Sequence, residues 1–96
     1  MIPLDPYVAE VANLLKAAGV EVSETWTEAT DPIDHNIEVK AGRWHPHLIW
    51  DGSGWKHISY PLQWKHAGPL LNGARPDPVE VVAATVALLE RLLEEG

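Results

Sequence analysis

Apolar positions along this chain recur first at helical spacing and then at strand spacing. Between Asp5 and Gly19, residues Val8, Val11, Ala12, Leu15 and Ala18 fall on one stripe, widened by Leu14, and predict a helix over 6–18. Asp5 suits the cap because its carboxylate can accept from the free N–H groups of the first turn. Pro6 suits the first helical position because the N–H it lacks would be unpaired there anyway. Gly19 is the expected stop. From Val20 to Thr27 the period becomes two, with Val20, Val22 and Trp26 on one side and Glu21, Ser23, Thr25 and Thr27 on the other; Glu24 falls among the apolar positions. Glu28 to Asp34, containing Asp31-Pro32, reads as a loop, and His35 to Lys40 as a second strand with Ile37 and Val39 inward.

Trp44 to Tyr60 reads as a β-hairpin. Two alternating runs meet at Asp51-Gly52-Ser53-Gly54, whose residues tolerate tight backbone, and Trp50 then faces Trp55. If Ala41-Gly42 turns tightly, Val39 pairs with Trp44. One face of the sheet then collects Ile37, Val39, Trp44, Leu48, Trp50 and Trp55, and the other Lys40, Arg43, His45, His47, Ile49, Lys56, Ile58 and Tyr60. Pro46 strains this register, since it cannot donate to a ladder, and implies either a bulge or a strand that begins only at His47.

Residues 61–76 read as a long connection with turn signals at Gly68-Pro69 and Asn72-Gly73. Asp77-Pro78-Val79-Glu80 then supplies an acidic cap, a proline at the first position and a glutamate at the third. Val79, Val82, Val86, Leu89 and Leu93 form one stripe of the last helix, and Val81, Leu88 and Leu92 a second. So wide an apolar surface covers the first helix within one molecule or binds a second copy, a homodimer through the C-terminal helix. The expected fold is an α/β two-layer sandwich of order α-β-β-β-β-α, one domain over residues 1–96, with both helices on one face of an antiparallel meander.

Composition narrows the classes. The 96 residues include no Cys, which excludes disulfides, thiolate metal sites and Cys nucleophiles. No basic leader or long apolar run stands at the N-terminus and nothing reaches membrane-spanning length, so the expectation is a cytoplasmic protein without a membrane partner. The net charge of −7 is segregated: residues 1–38 carry −7, residues 39–75 carry +4 and residues 76–96 carry −4. Overall acidity disfavours non-specific binding to a phosphate backbone, while the basic middle, which holds four of the five His, can attract an anion locally.

The helix ending near Gly19-Val20, the strand pair, LIWDGSGW and LLNGARPDPVEVVAATVALL resemble a small uncharacterised α/β domain family of high-GC bacteria, in which a strand similar to "LLWD…GW" precedes a glycine-containing loop and a Pro-initiated helix. The resemblance implies the layout and carries no mechanism.

Candidate chemistry concentrates in the middle third. Trp55-Lys56-His57 and Trp64-Lys65-His66 repeat one triplet nine residues apart, and Arg43-Trp44-His45 permutes it. Interleaved indoles and cations suit a nucleotide or single strand, although strand alternation sends Trp55 and Lys56 to opposite faces. His45-Pro46-His47 puts two imidazoles on one face, roughly 7 Å apart along a strand, a spacing that serves a metal when Glu38 or His35 adds a third ligand. No Walker A, GxGxxG, GxSxG or HExxH motif is present. The leading expectation is therefore a non-catalytic interaction domain without a cofactor. Its protein partner would meet the exposed face of the central hairpin or the 61–76 loop, through Arg43, His45, His47, Lys56, Tyr60, Trp64, Lys65 and His66. A nucleotide or other anion, and a metal at His45 and His47, are the alternatives.

Overall fold

The computed structural model describes residues 2–61 and 66–95. Its order is α1 (Pro6–Ala17), β1 (Glu21–Glu28), β2 (Asp34–Lys40), β3 (His45–Trp50), β4 (Trp55–Tyr60), β5 (Ala67–Leu71) and α2 (Pro78–Glu95). The strands form one antiparallel meander in chain order, and the helices pack against each other and against one face of it. The α/β two-layer sandwich is as the sequence predicts, with a fifth strand added. That strand lies inside the segment read as a long connection. Its Gly68-Pro69 signals a turn in the sequence, yet an edge strand tolerates a proline because one side of it has no ladder to lose. Trp64 and Lys65 lie outside the described residues.

Both helices start as predicted. Asp5 Oδ1 accepts from Tyr7 N at 2.8 Å, and Asp77 Oδ1 accepts from Val79 N at 2.9 Å. Gly19, at φ 87°, leads the chain out of α1 into β1. In α2 the face against the core is Val81, Thr85, Leu88, Leu89 and Leu92, while Val79 and Leu93 stand in solvent. Hydrophobic spacing alone did not choose between the stripes, because Thr85 reads as polar. Its hydroxyl donates to Val81 O at 2.8 Å, which lets it occupy a core position. Among the described residues no helix is long and apolar enough to cross a membrane.

The core lies between the helices and the sheet: Val8, Val11 and Leu15 of α1 meet Ile37, Val39, Leu48, Trp50 and Trp55, with Trp44 at one end. The expected face assignment holds, although the expected register does not. Ala41, not Val39, bridges to Trp44, through a two-residue turn at Gly42-Arg43 with Gly42 at φ 58°. A shift of two residues keeps every side chain on its face, whereas a shift of one would have exchanged the faces. Trp50 pairs with Trp55 as predicted. Pro46 neither bulges nor delays β3: it lies opposite Ser59, and β2 stops pairing at Glu38↔His47, so the missing N–H removes nothing from that ladder.

The main departure is in β1. A bulge between Val22 and Glu24 inserts Ser23, so the residues after it change sides. Trp26, predicted to point inward with Val22, pairs with Asn36 on the open face. The same bulge removes the anomaly of Glu24, which pairs with Glu38 on that open face.

A candidate site on the open face of the sheet

The open face is built by register. A row runs across the strands through Glu24, Glu38, His47, Ile58 and Ala67, flanked by His45↔Tyr60 on one side and Trp26↔Asn36↔Ile49↔Lys56 on the other. Strand alternation sends His45 and His47 to this face, while Pro46 between them is buried on the helix side.

Glu38 is the hub. Its Oε2 stands 2.9 Å from His47 Nε2 and 3.6 Å from His45 Nδ1, and its Oε1 accepts from Ser23 Oγ at 2.6 Å. The Ser23 hydrogen bond is the main reason the carboxyl ionises below its ordinary range, and the two imidazoles assist. Aromatic rings hold the imidazoles. The Trp26 ring meets His47 edge-on at 4.9 Å; Tyr60 stacks on His45 at 5.6 Å and 14° and tilts against His47 at 4.6 Å. Glu38, His45 and His47 are the residues here able to ligate a metal, one atom from each lying within 4.8 Å of the others. His35, the other sequence candidate for third ligand, is on the helix side, where its Nδ1 accepts from Asp5 N at 3.1 Å.

Comparison with protein-family models, with curated proteins and with solved structures finds no match.

The other predicted site residues are scattered. Lys56 is exposed on the same face. Arg43, in the turn before β3, lies over the Trp44 ring with 5.0 Å from guanidinium carbon to centroid. His66 is buried, edge-on to Trp44 at 4.8 Å and 3.3 Å from Glu95 Oε2. Trp44, Trp50 and Trp55 are core, so the indole of Trp26 is what the described residues offer for stacking on this face. Sequence reasoning missed Trp26 and Ser23 as members of the site. The misplaced Glu24 was the one signal of the bulge that brings them there.

His57, on the helix side opposite Leu48, is buried with its Nδ1 2.9 Å from Ser59 Oγ. Burial lowers its pKa, and the neighbouring Arg91 and His66 lower it further. A lowered value means that the unfolded chain takes up a proton at a pH where the folded chain does not. Stability is therefore expected to be complete above about pH 6.5 and to fall as the pH drops from there toward the folded pKa. Urea midpoints measured across that range check this, and His57→Gln should flatten the decline; an unchanged slope in the variant assigns the proton elsewhere.

Proposed function

We propose that the protein is a non-catalytic binding domain that takes a polypeptide segment of a partner protein across the open face of its sheet. One observation carries the reading. Beside the Trp26, His47 and Tyr60 cluster runs a mostly apolar trough of 420 Å³ between β4 and β5, lined by Ile58, Ala67, Gly68 and Pro69, with Lys56 and Asp51 also on its wall. The trough exists because Ala67, Gly68 and Pro69 place only small or flat residues opposite Lys56–Ile58 of β4. Rigid aromatic rings beside a space for an apolar side chain, with a cation within reach, make a recognition surface for a peptide carrying an apolar anchor and a neighbouring carboxylate.

Selection from a random peptide library tests the reading directly. Peptides selected on the wild-type chain are expected to converge on an apolar-acidic pattern and to lose binding to Ala67→Trp, which fills the trough from an exposed position. Failure to converge, or equal binding to that variant, would remove the proposal.

A further inference from the structure

We infer that Glu38, His45 and His47 form a site for a divalent transition-metal ion of the Zn²⁺ class, a function beyond peptide recognition that rests on the convergence of these three side chains. Nδ1 of His45 and Nε2 of His47, both on β3, approach one carboxylate oxygen of Glu38 on the adjacent β2, at 3.6 and 2.9 Å. A tetrahedral ion bound at about 2.0–2.1 Å holds its ligand atoms about 3.3 Å apart, a value the two distances bracket. The two imidazole nitrogens lie within 4.8 Å of each other.

A simple surface ion pair accounts for less of this geometry. One shared proton joins Glu38 to His47 and leaves His45 Nδ1 beyond hydrogen-bond length from the same oxygen, whereas one cation engages all three atoms. The rings are also held against rotation, His47 between Trp26 and Tyr60, and His45 on the face of Tyr60. Ser23 Oγ, delivered by the β1 bulge, donates to Oε1 and leaves Oε2 turned to the imidazoles. Such an outer hydrogen bond to a ligating carboxylate is a regular part of metal sites.

The donor set selects the ion. Two imidazoles and one carboxylate, without thiolate, match Zn²⁺, Co²⁺ or Ni²⁺ better than Ca²⁺ or Mg²⁺, which prefer all-oxygen shells. Three protein ligands leave a further position directed to the open side of the sheet, as in zinc sites that accept an outside ligand. Among the described residues no other group of three His, Asp or Glu side chains converges in this way.

The test uses the full chain without a histidine tag, stripped of metal and titrated with Zn²⁺ by calorimetry and with Co²⁺ by visible absorption. One ion per chain and a Co²⁺ spectrum typical of four or five ligands are the expected results. Glu38→Gln and His47→Gln should abolish both signals, and Ser23→Ala should weaken binding about 10–100-fold. Should His47→Gln unfold, His45→Gln replaces it, since that side chain is 44% exposed. Absence of stoichiometric binding, or binding that survives these substitutions, overturns the inference. Neither result bears on peptide selection by the β4–β5 trough, which Ala67→Trp tests separately.

Discussion

Trp50→Ala is expected to lower stability by about 3–5 kcal/mol, the range for truncating a large buried aromatic side chain. The indole is 5% exposed and joins three parts of the chain. Its ring lies 5.1 Å from that of Tyr7 in α1 and 5.7 Å from that of His35 in β2, and its Nε1 donates to Ala74 O at 2.7 Å, anchoring the segment before α2. The Arg75 guanidinium carbon lies 5.4 Å from the Trp50 ring and 4.7 Å from the Tyr7 ring, covering both from outside. A domain of this size has a total stability of about 5–15 kcal/mol, so the variant retains little margin. At about 4–8 °C per kcal/mol its thermal midpoint should fall by at least about 12 °C. Trp26→Ala is the comparison: its indole lies on the open face and is only partly buried, so the loss should be much smaller. Equal midpoints for the two variants would contradict the division of the indoles between core and open face.

Tyr7→Phe should cost about 1–3 kcal/mol although it removes a single oxygen. That hydroxyl donates to Pro76 O at 2.6 Å and accepts from Trp55 Nε1 at 3.1 Å, tying α1 to both the sheet and the entry to α2. Burial raises its pKa, so it remains a protonated donor. Phenylalanine keeps the ring packing and leaves the Trp55 N–H, on a residue 2% exposed, without its partner. The penalty of an unpaired buried donor is what the variant measures, by urea unfolding at neutral pH. A stability within experimental error of wild type would mean that water replaces the hydroxyl and that the clasp is incidental.

Much of the open-face patch was legible in the sequence because a strand has a period of two. Once residues 44–60 are taken as a hairpin, His45, His47, Ile49, Lys56, Ile58 and Tyr60 must share a face, and even a register error of two residues leaves them there. The hub of the site was less legible. Glu38 and His35 both lie on β2, where alternation puts His35 on the inward side with Ile37 and Val39, but only cross-strand pairing sets Glu38 directly opposite His47, with His35 opposite Trp50. His66 reads as a surface basic residue in a Trp-Lys-His triplet, yet packing against Trp44 and pairing with Glu95 takes it out of solvent.

The sequence by itself determined the two capped helices, the central hairpin and which of its sides is dry, since capping chemistry and hydrophobic periodicity act through neighbours along the chain. Tertiary structure alone decided the fifth strand, the β1 bulge and the buried stripe of α2. Each depends on a partner distant in sequence: β4 for Ala67–Leu71, β2 for the inserted Ser23, and the sheet with α1 for Thr85. The candidate metal centre straddles the two groups, since the sequence named His45 and His47 with Glu38 or His35 but not the register that chose Glu38. Its carboxylate, its imidazoles and the serine that orients them come from three strands, and no local pattern records the register that brings them together.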